Sequence, residues 1–380
     1  HLSYAVEPLD GPAAAAGGAT PAGASPAGSP AAPGPAAPTA IFSGGSLLVG
    51  SVGRTDLLGP ALTPALTADQ QRTLRRYASL PDGVTILPTH GAGSFCSAGP
   101  ATGRWYTTVG TEREANPVFG AADLPDGAFR ELLLAGLGRY PAYYAHMAGI
   151  NRAGPRTLTR LPLPDPMDPV RFAAAAAAGA TIVDGRDRSA YAASHIPGSL
   201  SIELDASFAS YVGWLVPFDA PIVLVLPEPE AETLREAVVQ LLRIGYERIG
   251  GWLEGGLERW AEAGRPTSTY DVVGIREAAA GATAPTGGAV PTILDVRQPM
   301  EWRTEGIIDG SRTIFVADLA DRLAELPRDR PVTVLCKSGA RASMAASLLD
   351  RAGFDVRLVA EGGAPSWPEP LVPVGAGDSE

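Results

Sequence analysis

The chain has 380 residues, a net charge of −11 at pH 7 and two cysteines. That length predicts two or three compact units, and the acidic balance argues against nucleic acid or an anionic membrane as partner. Apolar runs are too short to span a membrane, and two cysteines make no disulfide framework, so we expect a reducing cytoplasm. The oligomeric state cannot be read from the sequence.

The N-terminal part of the chain, residues 1–160, contains a low-complexity segment. Residues 11–40 consist almost wholly of Ala, Gly, Pro, Ser and Thr. Such a segment cannot bury enough apolar surface to offset the entropy lost on ordering. We therefore predict a disordered insertion between two strands at 11–40.

Two motifs follow this insertion. They are IFSGGSLLVG at 41–50, continued by GRTDL at 53–57, and LPTHGAGS at 87–94. Both resemble segments of the metallo-β-lactamase fold, on the branch of the persulfide dioxygenases and glyoxalase II-like proteins. The resemblance covers residues 41–156 and implies a partial αββα domain, with a helical tail that reaches residue 155.

The same resemblance implies a metal site that these residues leave incomplete. His90 matches the late histidine ligand, but the chain has only four histidines, and Gly45 stands where the family has an aspartate ligand. One imidazole does not hold a metal. We expect no cofactor, with iron or zinc bound only if residues upstream of His1 supply ligands. HLSYAV at 1–6 resembles the strand after the family's middle ligand, so we expect the chain to be a fragment.

Other polar residues in this part receive structural interpretations. We interpret Cys96 as a small buried apolar residue, in preference to a redox group. His146 lies in an aromatic helical stretch and is interpreted as a packing side chain. Arg54 and Asp56 are interpreted as a loop ion pair, although the resemblance also allows them to border a thiol-substrate pocket.

Residues 165–267 form the first of two related patterns, after a Pro-rich linker at 160–168. Its motifs are TIVDGR at 181–186, Tyr191, HIPGS at 195–199, Gly245-Tyr246, Gly255-Gly256 and Trp260. A repeat of this length is a normal size for a compact domain. We call residues 165–267 the first repeat.

Residues 268–372, the second repeat, show the same order of motifs, followed by a tail at 373–380. The motifs are TILDVR at 292–297, Glu301-Trp302, GIIDGS at 306–311, Gly353-Phe354, Gly362-Gly363 and Trp367. Strand patterns alternate with helical ones, such as 232–244 and 342–351, which predicts a parallel α/β sheet in each repeat. A flexible loop is predicted at 281–288.

The second repeat carries a cysteine that the first lacks. The strand pattern PVTVL at 331–335 leads into Cys336, and the loop CKSGAR ends at Arg341 before the predicted helix. Unpaired N–H groups and the positive end of a helix dipole meet at such a place, which favours the thiolate form of a cysteine. Loop amides can also surround a second sulfur bonded to it. We predict Cys336 as a nucleophile; the alternative is a buried structural cysteine.

Together these motifs resemble tandem rhodanese sulfurtransferases. The segments from Thr292 and from Gly353 are similar to the family's "DVR…E-aromatic" opening and "GF…GG…W" close. GIIDGS is similar to its "GHIPGA" turn, with Ile307 in place of the usual histidine and Asp309 in place of the proline. The four residues between Cys336 and Arg341 match the sulfurtransferase loop, whereas the related phosphatases and arsenate reductases have one more.

The resemblance implies a role for each residue of the loop. The catalytic residues would be Cys336 and Arg341, the persulfide-cradling loop Lys337, Ser338, Gly339 and Ala340, and the supporting pair Asp295 and Arg297. Lys337 and Arg341 would favour anionic donors. Arg341 could equally be a clasp that ties the loop to an acidic neighbour, and both alternatives stay open.

A two-step reaction is implied. The Cys336 thiolate would attack the outer sulfur of thiosulfate or of a low-molecular-weight persulfide and become a cysteine persulfide. A thiol, cyanide or sulfite would then remove that sulfur. The expected partners are thus small sulfur donors and thiol acceptors, in sulfide or persulfide metabolism.

The first repeat resembles the same family without its chemistry. After the strand pattern PIVLVL at 221–226 comes PEPEAE at 227–232, with no thiol, glycine or arginine. Carboxylates in place of an anion cradle should repel the expected donors. We predict a catalytically inactive domain that serves in packing or support, with His195 capping a turn.

Two other functions remain as alternatives. One is a non-enzymatic relay or sensor, in which Cys336 carries persulfide to a partner. The other is a metal-dependent persulfide dioxygenase or hydrolase, which requires a metal site completed by upstream residues. Turnover with a small acceptor separates the sulfurtransferase from the relay.

Overall fold

The computed structural model describes residues 4–6, 38–91, 103–137, 140–154, 156–283 and 289–374. The chain divides into two compact units, His1–Arg139 and Tyr140–Glu380. The predicted disordered insertion lies outside the described residues except for its last three positions, and Cys96 also lies outside them. So do most of the flexible loop predicted at 281–288 and of the tail predicted at 373–380.

The first unit contains a mixed sheet and a short hairpin. Its strands are β1 (Tyr4–Val6), β2 (Ala40–Gly44), β3 (Leu47–Leu48), β4 (Ser51–Val52), β5 (Thr85–Pro88) and β6 (Thr107–Thr108), and its helices are α1 (Thr63–Ala78), α2 (Val109–Ala115), α3 (Pro117–Gly120) and α4 (Asp126–Ala135). The sheet order is β1-β2-β5-β6, with β2 and β5 parallel and the outer pairs antiparallel. Leu47, Leu74, Ile86 and Phe129 form its apolar core.

The second unit begins with helix α5 (Tyr144–Ala153), which the resemblance above assigns to the N-terminal domain. Tyr143 is buried in the same apolar cluster as Val212 and Leu241 of the first repeat. The backbone of Ala142 donates a hydrogen bond to the carbonyl of Gly213, at 2.9 Å. His146 of α5 stacks on Phe218 of the first repeat, and the second compact unit begins at Tyr140.

The two repeats have the same order of strands and α-helices as far as their last strand, β11 or β16. The first contains β7 (Pro166–Met167), α6 (Pro169–Ala177), β8 (Thr181–Asp184), α7 (Arg188–Ala193), β9 (Leu200–Ser201), α8 (Phe208–Leu215), β10 (Ile222–Val225), α9 (Glu230–Arg243), β11 (Ile249–Leu253) and α10 (Gly256–Glu262). The second contains β12 (Asp271–Val272), α11 (Ile275–Thr283), β13 (Thr292–Asp295), α12 (Pro299–Glu305), β14 (Arg312–Thr313), α13 (Leu319–Arg322), β15 (Val332–Leu335), α14 (Ala340–Arg351) and β16 (Val356–Leu358), with 3₁₀ turns at Leu323–Glu325 and Ala364–Ser366.

Each repeat forms one five-stranded parallel sheet. The spatial orders are β7-β11-β10-β8-β9 and β12-β16-β15-β13-β14, so corresponding strands occupy corresponding places. All ladder pairs in both sheets are parallel. The prediction of two parallel α/β sheets is confirmed. The predicted linker at 160–168 is wrong at its end, because Pro166 and Met167 pair with β11 as an edge strand.

Composition explains which strands lie at the centre of each sheet. Strands β10 (IVLV) and β15 (VTVL) are buried at every position, as expected for parallel strands with helices on both faces. Their β-branched residues suit a pleated, buried surface. The edge strands β7 and β12 are only two residues long, and three of their four residues are exposed; such short edges limit pairing with other chains.

The two repeats share one apolar cluster. Val183 and Leu224 of the first repeat belong to the same buried group as Leu294 and Val334 of the second. Helix α14 packs on β9: Ser201 N donates to Ser347 Oγ at 3.1 Å, and the hydroxyls of Ser201 and Ser343 lie 2.6 Å apart. Among the described residues, no helix has the length and apolar character needed to cross a bilayer.

Candidate active site

Cys336 lies at the junction of strand β15 and helix α14. The strand ends at Leu335, and the helix begins at Ala340, two residues before the predicted start. Gly339 is the N-cap residue, with φ +97°, a left-handed conformation that glycine adopts without a side-chain penalty. The loop of residues 336–339 thus turns sharply and brings its amides back toward the cysteine.

The sulfur of Cys336 is inside this turn. The backbone N–H of Gly339 donates a hydrogen bond to Sγ at 3.1 Å, and the residue has no solvent exposure in this structure. The carbonyl of Cys336 accepts a hydrogen bond from Ala364 N at 2.8 Å. Gly363 lies against that carbonyl so closely that an added Cβ would overlap it. The Gly362-Gly363 motif therefore permits close approach to the cysteine backbone.

The two loop cations are held by carboxylates of α12. Lys337 Nζ lies 2.8 Å from Glu305 Oε1, and Arg341 forms a two-pronged ion pair with Glu301, with Nη2 donating to Oε1 at 2.9 Å. This pairing is the clasp arrangement for Arg341. Because both cations are neutralised, neither provides an unpaired positive charge for a donor.

The electrostatics of the Arg341–Glu301 pair agree with this geometry. Burial tends to raise the pKa of Glu301, but the Arg341 hydrogen bond and charge outweigh it and lower that pKa below 4.5. Burial lowers the pKa of Arg341, and Glu301 more than reverses the effect. Both groups are therefore ionised at neutral pH.

Asp295 and Arg297, the predicted supporting pair, are completely buried. Arg297 Nε and Nη2 donate to the Asp295 carboxylate at 2.9 and 2.7 Å. Arg297 also donates to Glu305 Oε2 at 3.0 Å and to the carbonyl of Gly306 at 2.7 Å. Because Glu305 also binds Lys337, the pair links strand β13 through α12 to the cysteine loop.

Ser338 and Ala340 complete the predicted cradle. Ser338 is exposed, and Ala340 is partly buried as the first residue of α14. The contact that fixes Ser338 comes from the first repeat, since Arg188 Nη1 donates to its carbonyl at 2.7 Å. Sequence reasoning missed this contact, because nothing in the local pattern around Arg188 points to a loop 150 residues away.

The first repeat contributes Arg188 and Tyr211 to the surroundings of Cys336. Arg188 also donates to the carbonyl of Ala360 at 3.3 Å, and its Nε donates to Glu203 at 2.9 Å. Tyr211 on α8 has a pKa raised by burial, lowered in part by Arg341 and raised further by the charge of Cys336. The first repeat therefore forms one wall of the site.

The corresponding loop of the first repeat has different chemistry. Strand β10 is followed by Leu226 and Pro227, and α9 begins at Glu230. Glu230 Oε2 accepts a hydrogen bond from Gly255 N at 3.4 Å, and burial raises the pKa of Glu230. A carboxylate thus lies beside the Gly-Gly turn whose counterpart in the second repeat contacts the cysteine.

His195 makes more than a local contact. Its Nδ1 lies 2.9 Å from the carbonyl of Tyr191 in α7, while its Nε2 lies 3.2 Å from Asp350 Oδ2 on α14. The ring is completely buried and stacks on Tyr191, with centroids 4.1 Å apart. It therefore joins the two repeats in addition to the local capping that was predicted.

The residues singled out in the N-terminal part are not assembled into a metal site. His90 is exposed, and the described residues contain no cluster of three or more histidines, cysteines, aspartates or glutamates that could hold a metal. Arg54 and Asp56 form the predicted loop ion pair at 2.7 Å. His146 is exposed yet stacks on Phe218, with centroids 4.0 Å apart.

Both repeats match a known protein family. The family model described as "Rhodanese-like domain" matches residues 169–263 and 279–369. A sulfurtransferase of Allochromatium vinosum is 31% identical over 82 residues, which cover 22% of this chain and 76% of that protein. The probable adenylyltransferase/sulfurtransferase MoeZ of Mycobacterium tuberculosis is 34% identical over 83 residues, so the match spans 21% of each protein.

A solved structure is similar over a larger part of the chain. It is a metallo-beta-lactamase from Staphylococcus aureus, 27% identical, with a TM-score of 0.47, covering 58% of this chain and 60% of that one. The family matches fall on the two repeats described above, and the second match contains Cys336 with its whole loop.

Proposed function

We propose a sulfur-transfer reaction for this chain, which belongs to the rhodanese-like family, with Cys336 as the sulfur carrier. The observation that carries the proposal is the hydrogen bond from Gly339 N–H to Cys336 Sγ, at the start of α14. A helix N-terminus and a backbone donor both stabilise negative charge on that sulfur. A thiolate held in this way is the nucleophile that sulfur transfer requires.

The reaction has two balanced steps. In the first, the Cys336 thiolate attacks the outer sulfur of thiosulfate, the S–S bond of the donor breaks, and sulfite leaves with the bonding electrons. The product is a cysteine persulfide anion. In the second, an acceptor thiolate attacks the terminal sulfur and regenerates the Cys336 thiolate. A sulfur atom moves between thiol-type groups, and no external oxidant is consumed.

The loop has the right parts for the persulfide anion. The N–H of Gly339 already donates to Sγ, at the N-terminus of α14. Amide donors in a buried turn stabilise the developing charge more strongly than they would in water. Lys337 and Arg341 hold the loop through Glu305 and Glu301, and we assign them this positioning role.

The test is sulfur transfer from thiosulfate and from glutathione persulfide, with the intact mass recorded. The chain contains two cysteines, Cys96 and Cys336, which makes Cys96→Ser the matched control for Cys336→Ser. We expect turnover and the gain of one sulfur atom in the wild type and in Cys96→Ser, and neither in Cys336→Ser. Turnover that survives Cys336→Ser would overturn the proposal.

The relay alternative gives a different result in the same experiment. If Cys336 passes its sulfur only to a protein partner, the mass gain appears but turnover with a small thiol does not. A metal-dependent dioxygenase would instead consume oxygen when iron is added and would be insensitive to Cys336→Ser.

A further inference from the structure

One peptide group connects the first repeat to the reactive sulfur. The carbonyl of Ser338 and the N–H of Gly339 belong to the same planar unit, and a trans peptide directs its C=O and N–H in opposite directions. Arg188 Nη1 donates to the Ser338 oxygen at 2.7 Å. On the opposite side, the Gly339 N–H donates to Cys336 Sγ at 3.1 Å.

From this geometry we propose that Arg188 is a positioning residue for sulfur transfer at Cys336, a role that rests on the function proposed above. A guanidinium that donates to a carbonyl fixes the peptide and polarises it, because hydrogen bonds in a chain strengthen one another. The N–H at the other end becomes a better donor to a sulfur anion. Arg188 thus acts on the sulfur through the backbone, without touching it.

The other charged groups around Cys336 do not duplicate this contact. They are Lys337 paired with Glu305, Arg341 paired with Glu301, Arg188 paired with Glu203, and the neutral phenol of Tyr211. Lys337 and Arg341 direct their charges to α12. Among these three cations, and within the described residues, Arg188 is the one that donates a hydrogen bond to a carbonyl of the 336–339 loop.

Glu203 gives Arg188 a fixed orientation. Its Oε1 accepts from both Arg188 N and Arg188 Nε at 2.9 Å, and its Oε2 accepts from Nη2. The Nε–Nη2 edge of the guanidinium is thereby occupied, and Nη1 donates to the carbonyls of Ser338 and Ala360. A two-pronged pair of this kind fixes the fork of an arginine more precisely than a single contact.

This assignment gives the inactive first repeat a part in the chemistry of the second. An arginine on α7 and a glutamate after β9 both lie in a domain that has no thiol. The contact joins residues 150 positions apart. The first repeat therefore does more than pack against its neighbour, because it sets the orientation of the donor to the sulfur.

The experiment compares Arg188→Met, Arg188→Lys and the control Arg259→Met in the full chain. Arg259, on α10 of the first repeat, also pairs with a glutamate, Glu254, just before its own helix. The rate of Cys336 alkylation by iodoacetamide is measured against pH by peptide mass, together with kcat and KM for thiosulfate. Thermal unfolding of each variant reports whether the fold persists.

For Arg188→Met we expect the midpoint of the alkylation profile to move to higher pH and kcat to fall about tenfold, less than the 10²–10³ typical when a direct donor is removed. Arg188→Lys should fall between Arg188→Met and the wild type, because an ammonium still donates to the Ser338 carbonyl. Arg259→Met should match the wild type in both measurements.

An unchanged alkylation profile in folded Arg188→Met would overturn this inference, even if its unfolding temperature fell, since Arg188 would then only join the repeats. If Arg188→Met does not fold, the alkylation profile of Arg188→Lys is used instead, and an unchanged profile in that variant overturns the inference. The function proposed above fails separately, when Cys336 in the wild type gains no sulfur. The alkylation profile does not depend on that outcome.

Discussion

Glu301 accepts hydrogen bonds from both terminal nitrogens of Arg341, and this ion pair connects helix α12 to helix α14, which follows the cysteine. Both side chains are mostly buried. If one of the two charged groups is removed, the other stays buried and has lost its hydration, but no ion pair offsets that loss.

Glu301→Gln should therefore destabilise the second unit by about 1–3 kcal/mol at neutral pH. The folded pKa of Glu301 is lowered from 4.5, so its contribution is complete above pH 4.5 and is lost as pH falls through the lower folded value. In urea denaturation, the difference between the wild type and Glu301→Gln should shrink progressively as the pH falls from 4.5 through the lower folded pKa of Glu301. Glu325→Gln, at an exposed pair with Arg322, should leave the neutral-pH denaturation midpoint unchanged.

Gly339→Ala tests the turn around the sulfur. Its φ of +97° costs an L-residue about 1–2 kcal/mol, and its Cβ would overlap the carbonyl oxygen of Ala360. We expect loss of sulfur transfer and a lower unfolding temperature. Gly353→Ala is the matched control, with φ +77° and no atom within 4 Å of the added Cβ. It should show only the backbone cost and keep its activity; equal losses in both variants would contradict the steric explanation.

Arg297→Met leaves the Asp295 carboxylate buried without its cation. Breaking a fully buried ion pair typically costs about 3–5 kcal/mol, which we expect as a decrease in the free energy of unfolding measured by urea denaturation. Arg330→Met is the comparison, because Arg330 pairs with Asp329 on the surface. That variant should keep the wild-type midpoint. Similar midpoints for both variants would mean that the buried pair does not stabilise the fold.

The double variant Leu226→Cys/Cys336→Ser tests whether a thiol alone allows the first repeat to accept sulfur from thiosulfate. Leu226 follows β10 as Cys336 follows β15. Pro227 and Pro229 have no N–H to donate, and Glu230 places a carboxylate in the turn. We expect no gain of sulfur from thiosulfate by intact mass. A persulfide on the introduced thiol would show that the loop amides are dispensable.

Much of the second unit follows from local sequence patterns. The strands at 222–225 and 332–335 are continuous β-branched and aliphatic runs, and the repeated motifs place them at equivalent positions in two sheets. The cysteine loop was found in the same way, from a thiol between a strand pattern and a helix pattern. The parallel order of each sheet then follows from strand-helix alternation.

The contacts across the repeats could not be predicted. Arg188 reaches Ser338, and His195 reaches Asp350, only because two apolar faces merge into one core. A single sequence carries no signal for such pairings between distant segments. The packing of α5 on the first repeat likewise has no local sequence signal, because a helical pattern does not show which domain the helix packs against.

Other expectations remain predictions. They concern the donor and acceptor, a reducing cytoplasm, the absence of a cofactor and the identity of the N-terminal unit. His90 is exposed in the part of the chain that the structure describes.

Helix α14 buries eight successive residues, from Ala342 to Leu349, so no face of its middle is left for water. The side that meets β9 presents Ser343 and Ser347, whose hydroxyls bond to Ser201. A chimera that joined the second repeat to the first repeat of a relative would therefore need a matching small, polar surface at that point. Whether a chimera folds would therefore depend on a matching contact between α14 and β9, and not only on retention of the cysteine loop.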